Sequence, residues 1–127
     1  NRLVPAVIRS LLVGQTALCS HGNQIRDFLY VQDAAEAFVA LLDSNVSGPV
    51  NIASGQPVKL KELIYKIAGI FNRPDLVQLG AISALESEPP LLVADVQRLQ
   101  NEVKWKPRYD LETGLSNTID WWRENSP

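Results

Sequence analysis

Apolar residues recur at helical spacing through Leu3, Val4, Val7, Ile8, Leu11 and Leu12, and Gly14 stops the pattern. This predicts an amphipathic helix over 3–13, with Pro5 in the first turn, where its missing N–H is harmless. Thr16–Ser20 follows as a short strand, and His21-Gly22-Asn23 reads as a turn. Phe28–Val31, aromatic and β-branched, predicts a buried strand, and Asp33 stands where an N-cap would start a helix over 34–43. Ala34, Ala35, Ala37, Phe38, Leu41 and Leu42 form the inward face of that helix.

The second half continues the alternation. Val50–Ala53 predicts a strand, and Leu60, Leu63, Ile64, Ile67, Ala68 and Phe71 lay out a third helix. Val58 or Lys59 precedes that helix in place of a capping Ser or Thr, so its entry is poorly satisfied. Val77–Leu79 predicts a fourth strand, and 81–90 an irregular connection. Asp95 is placed to cap a short helix carrying Val96, Leu99 and Val103, and Asp110 a last helix with Leu115, Ile119 and Trp122 inside.

These elements predict an α/β fold: one small mixed domain over 1–127, of about five helices and three or four short strands. Such a set is too small for a complete doubly wound sheet, so some strands are expected to complete another sheet and the chain to expose apolar edges and self-associate. With 127 residues and 46% apolar content the chain can bury a core. Its 12 basic and 14 acidic residues are interspersed, which argues against nucleic acid or a membrane surface as partner. The lone cysteine, Cys19, precludes an internal disulfide and fits a reducing, cytoplasmic setting. Cys19 reads as a small apolar filler, lone His21 as a polar loop residue, and no cluster offers a metal site.

Candidate chemistry centres on Arg26. Mounted at the upstream end of the 28–31 strand, its guanidinium would stay charged and offer two parallel donors, which suits a diphosphate. The bland alternative is a surface Arg paired with Asp27 or Glu36. A second anion-binding element is the start of the first helix, where Asn1, Arg2 and Leu3 bring free N–H groups and the dipole together.

Arg26-Asp27-Phe28-Leu29-Tyr30-Val31-Gln32-Asp33 resembles the R-D-[FWY]-[IL]-[YH]-V-x-D signature of the extended short-chain dehydrogenase/reductases, the NAD-dependent nucleotide-sugar epimerases and dehydratases. Gly48–Gly55 resembles that family's G-x-x-[YF]-N-[IV]-[GA]-[SG]-G strand and turn, and Trp105-Lys106-Pro107 with Leu111–Leu115 its closing segment. The three lie in the family's order and spacing over nearly the whole chain. The resemblance implies the C-terminal, substrate-binding part of an extended Rossmann-type enzyme. Arg26 would contact the diphosphate of a nucleotide sugar, Asn1, Arg2 and Leu3 would face its phosphates, and Ala17, Leu18 and Cys19 would lie along the nucleobase.

The family's Gly-rich dinucleotide turn and Tyr-x-x-x-Lys pair are absent from these residues. Four positions beyond Tyr30, Tyr65 and Tyr109 stand Ala34, Gly69 and Thr113. The expectation is therefore that NAD and the catalytic pair belong to an N-terminal domain not contained in this chain, whose partner it would be. The alternative is a non-catalytic nucleotide-binding or structural module. Two departures stand out. Where family members carry a second phosphate Arg, this chain reads Leu85-Glu86-Ser87-Glu88-Pro89-Pro90, whose carboxylates would repel an anion, so that either another residue such as Arg73 or Arg98 serves or the substrate is held differently. Lys104 replaces Gly ahead of Trp105. The tryptophans are expected to be structural, with Trp105 and Trp122 packed and Trp121 either partly exposed or covering a neighbour.

Overall fold

A computed structural model describes residues 2–126. Helix α1 (Leu3–Leu12) leads into β1 (Ala17–Leu18) and β2 (Ile25–Asp27), then α2 (Val31–Asp43), β3 (Pro57–Lys59) and α3 (Leu60–Ile70). A 3-10 turn at Pro74–Leu76, strands β4 (Val77–Gln78) and β5 (Leu91–Leu92), a π-turn at Leu99–Val103 and α4 (Leu111–Asn125) complete the described chain. The strands form two small sheets. β1 pairs with β4 in parallel, and β2 is the centre of a three-stranded sheet, antiparallel to β3 and parallel to β5. The α/β class and the mixed set of helices and short strands are as expected.

Two apolar clusters hold this together. In the first, α1, α3 and α4 bury Val7, Ile8, Leu11, Leu63, Ile64, Ile67, Leu115 and Ile119 with Ala17 and Cys19 of the β1 region. In the second, Ala37 of α2 packs with Val96, Leu99 and Trp105. The predicted inward positions of the first, third and last helices, Leu60 excepted, belong to or pack against the first cluster. Trp122 packs against it, Trp105 is buried, and Trp121 is exposed, as expected.

Two strands lie elsewhere than the apolar pattern places them. The ladder takes Ile25–Asp27, and Phe28–Tyr30 leaves it to span the clusters: Phe28 packs on the first, Leu29 on the second, and the Tyr30 side chain lies against Gly114. Val50–Ala53 likewise is not a strand, because Val50, Ile52 and Ala53 pack beneath the second cluster while the following Pro57–Lys59 pairs with β2. In both places burial against a cluster outweighs ladder pairing, since apolar residues bury as well in irregular backbone as in a strand. β5 at Leu91–Leu92 is an additional strand, and 81–90 is irregular as expected.

Helix ends give a second set of corrections. Asp33 is not the N-cap of α2: Tyr30 holds that position, and Asp33 is fully buried in the first turn. Its Oδ1 accepts from Arg108 N–H at 2.9 Å and its Oδ2 from Tyr109 N–H at 3.1 Å, tying α2 to the approach of α4. Of the six residues expected inside α2 only Ala37 is buried; Ala35, Phe38 and Leu42 are exposed because the helix packs along one narrow stripe. Asp110 does cap α4, accepting from Thr113 N–H at 2.7 Å, and α3 has no side-chain cap. Asp95 accepts from Gln97 N–H at 2.9 Å, and the turn it opens widens into the π-turn before Trp105.

Candidate functional site

Arg26 is the middle residue of the central strand β2, opposite Val58 of β3 and Leu92 of β5. This corrects the expected place at the upstream end of a strand, and it mounts the side chain more firmly, since backbone bonds fix both flanks. The guanidinium meets neither Asp27 nor Glu36. Its Nη1 donates to the Ile25 carbonyl at 2.8 Å and its Nη2 to Glu88 Oε1 at 3.1 Å. The pair is mostly enclosed, with the side chains 17% and 30% exposed.

Glu88 thus does the opposite of what its charge suggested. Instead of leaving the site anionic, it neutralises Arg26 and pins the irregular 81–90 loop to the sheet. Its other oxygen, Oε2, accepts from Gln24 Nε2 at 3.2 Å. Gln24 is 4% exposed and also donates to Ser20 Oγ at 3.2 Å, while its own Oε1 has no hydrogen-bond partner. Beside this cluster lies a cavity of about 140 Å³ lined by His21, Asn23, Gln24, Leu85 and Glu88 among others. Gln24 and Glu88 are the residues that sequence reasoning missed as partners of Arg26. Gln24 stands just before β2, two positions from Arg26, where extended backbone running into the strand puts the two side chains on one face.

Asp27, next in the strand, serves the backbone. It accepts from Ser54 N–H at 2.8 Å, Ser54 Oγ at 2.7 Å and Gly55 N–H at 2.8 Å. Gly55 has φ +73°, and a Cβ there would come within 2.5 Å of Val96 Cγ2. The 48–55 motif is therefore a turn held between the Asp27 carboxylate and the second cluster.

The other candidates stand on other elements. Arg2 is the N-cap residue of α1, without a side-chain cap bond, and lines a groove of about 670 Å³ with Arg9, Gln15 and Arg123. Leu3, half-buried, packs on the first cluster and does not line the groove; Asn1 lies outside the described residues. Ala17 and Cys19 are buried, and Leu18 between them is 57% exposed, so only Leu18 of the three presents its side chain outward. Burial pushes the Cys19 thiol up from its ordinary pKa, which keeps it protonated and unreactive. Arg73 and Arg98, the cations considered in place of the second phosphate Arg, each pair with a carboxylate of their own. Arg73 is held by Asp75, and Arg98 by Glu102 and the carbonyls of Ser47 and Pro49.

No cradle for a dinucleotide is present among the described residues. Strand runs into helix at three places, through Phe28-Leu29-Tyr30 before α2, directly from Lys59 to Leu60 before α3 and through residues 93–96 before the π-turn, and none carries a glycine. Without one, backbone N–H groups cannot approach a pyrophosphate at a helix start in the usual way. These residues do not fit NAD, and a metal-ligating cluster of acidic, histidine or cysteine side chains is likewise absent among them. No described helix is long and apolar enough to cross a membrane.

A family model described as NAD dependent epimerase/dehydratase family matches residues 1–53. UDP-glucuronic acid decarboxylase 1 of Xenopus tropicalis is 31% identical over 98% of this chain and 29% of its own length. A solved structure of UDP-N-acetylglucosamine 4-epimerase from Methanobrevibacter ruminantium, in complex with UDP-N-acetylmuramic acid, superposes with a TM-score of 0.87 at 25% identity, over 97% of this chain and 39% of that one. MoeE5, in complex with UDP-glucuronic acid and NAD, gives 0.81 at 27% identity, over 98% and 42%. The first curated relatives are thus matched over about 29 to 42% of their length.

Proposed function

Because the chain belongs to the NAD dependent epimerase/dehydratase family, we propose that it is the nucleotide-sugar-binding part of an enzyme that epimerises, dehydrates or otherwise transforms a nucleoside-diphosphate sugar. The observation that carries this reading is Arg26: a guanidinium anchored at the middle of the central strand, partly shielded from water, where charge-assisted bonds to phosphate are strong. Arg2 at the start of α1, and the outward Leu18 against the base, are the accompanying contacts. In this reading NAD and the proton-transferring groups belong to a further domain, which is the chain's first partner. Support for that division comes from the matched 29 to 42% of the relatives' length and from the absence of a glycine cradle here.

The contribution of these residues to catalysis is positioning. Binding energy from the remote diphosphate orients the sugar without entering the chemical step, converting a chance encounter into a held geometry. The exposed Val31, Phe38, Val39 and Leu42 of α2 support the expected self-association, and the lone buried Cys19 supports a reducing, cytoplasmic setting. One observation favours a second reading, a structural or non-catalytic module: Arg26 is already neutralised by Glu88.

Calorimetric titration of uridine diphosphate into the intact protein separates the two. A nucleotide site gives saturable binding that Arg26→Ala weakens about tenfold or more, as expected for a lost charge-assisted bond. Affinity unchanged by Arg26→Ala removes Arg26 from the site, and no binding at all favours the structural module.

A further inference from the structure

The Glu88 carboxylate sits on the donors that a phosphate would use. Oε1 takes the Nη2–H of Arg26 at 3.1 Å, and Oε2 takes an Nε2–H of Gln24 at 3.2 Å. Two oxygens on one centre, each receiving one donor, is the pattern that two non-bridging phosphate oxygens also present. The Gln24 amide is committed to this arrangement at a cost. Its Oε1 is buried without a partner, a destabilising situation, whereas turning the amide over would set an oxygen against the carboxylate. Glu88 itself belongs to an irregular loop, 81–90, and borders the 140 Å³ cavity, so it can withdraw without breaking a helix or strand.

We propose that Gln24 and Arg26 together form a two-donor phosphate cradle, and that Glu88 is a latch that fills it until a phosphate displaces it. The inference rests on the reading of Arg26 as a phosphate ligand and adds two roles: Gln24 becomes a second ligand, and the 81–90 loop becomes the segment whose opening accompanies binding. Glu88 also becomes a determinant of affinity. A ligand must exceed the carboxylate in charge or in number of contacts to displace it, which selects a diphosphate over a monoanion such as a free carboxylate.

The test uses the intact protein and inorganic pyrophosphate, which probes the cradle whatever base the true ligand carries. Pyrophosphate affinity is measured calorimetrically for the unmodified protein, Glu88→Gln, Glu88→Ala, and each of these combined with Arg26→Ala, with far-UV circular dichroism confirming that each folds. Removing the latch is expected to tighten binding about fivefold, the equivalent of a partly exposed ion pair at the upper end of its range. Arg26→Ala should abolish binding in every background, and Gln24→Leu in the Glu88→Ala background should weaken it. Unchanged or weaker binding in both Glu88 variants, with Arg26 still required, overturns the latch and leaves the Arg26 site standing. Binding that ignores Arg26 in all backgrounds, or no binding even in Glu88→Ala, overturns both the latch and the phosphate reading of Arg26.

Discussion

Arg26 and Glu88, 62 residues apart in sequence, form the only ion pair among the described residues in which both side chains are less than one-third exposed. The bond fastens the 81–90 loop to the central strand and links the sequence motif around Arg26 to a segment that departs from the resembling family's pattern. Loop mobility should therefore follow Glu88. In Glu88→Gln, limited proteolysis within 81–90 is expected to quicken several-fold while cleavage elsewhere is unchanged. Equal rates would mean that the ion pair does not restrain the loop.

Asp33 predicts a large stability effect remote from any ligand. Its two oxygens satisfy the N–H groups of Arg108 and Tyr109 from full burial. Asp33→Ala orphans both donors and is expected to destabilise by about 2–3 kcal/mol, with Asp33→Asn intermediate because its single oxygen can serve only part of the set. Urea unfolding followed by circular dichroism measures both.

Lys104 predicts a gain. It ends the π-turn at φ 62° and ψ 42°, a left-handed conformation that costs a side-chain-bearing residue about 1–2 kcal/mol, and the resembling family has Gly there. Lys104→Gly should stabilise by about 0.5–1 kcal/mol once the extra flexibility of an unfolded glycine is subtracted. A lower melting temperature in the variant would contradict this.

Gly55 predicts the reverse. A methyl group there meets Val96 Cγ2 at 2.5 Å on a backbone at φ +73°, and the displaced turn loses its bonds to Asp27. Gly55→Ala is expected to destabilise by about 2–4 kcal/mol, combining strain with overpacking. Differential scanning calorimetry reads the loss, and a shift within error would mean that the turn yields freely.

Asp110 gives a pH dependence. Hydrogen bonds from Thr113, side chain first and backbone second, hold its carboxyl below the usual carboxylate range, Lys66 adds a little, and partial desolvation opposes them. A carboxyl whose folded pKa is depressed binds its proton more readily when unfolded, so its contribution is full above the unfolded value. The contribution fades as pH falls through the depressed folded one. The urea midpoint should accordingly decline with acidification in the range below about pH 4, and Asp110→Ala should flatten that decline. Parallel pH profiles for the two proteins would remove the cap from the account.

Helices were legible from the sequence because their periods are long and their inner faces redundant: α1, α3 and α4 each bury several residues at the predicted spacing. Strands of two or three residues carry no such redundancy, and at Phe28–Tyr30 and Val50–Ala53 the apolar residues pack on clusters while neighbours with less apolar character make the ladder. Asp33 misled for a related reason, since a capping carboxylate and a buried one bonded to distant backbone look alike in sequence. Arg26 could be singled out from its motif, but its partner Glu88 could not. Glu88 lies in an irregular loop, and no local pattern tells whether a loop carboxylate will face a cation across the fold.

A crystal structure of the intact protein soaked with uridine diphosphate tests the central claim most directly. The account predicts phosphate oxygens within hydrogen-bond distance of the Arg26 guanidinium and the Gln24 amide, with Glu88 displaced and the 81–90 loop moved. Phosphate density in the Arg2, Arg9 and Arg123 groove alone, with the Arg26–Glu88 pair intact, would contradict it.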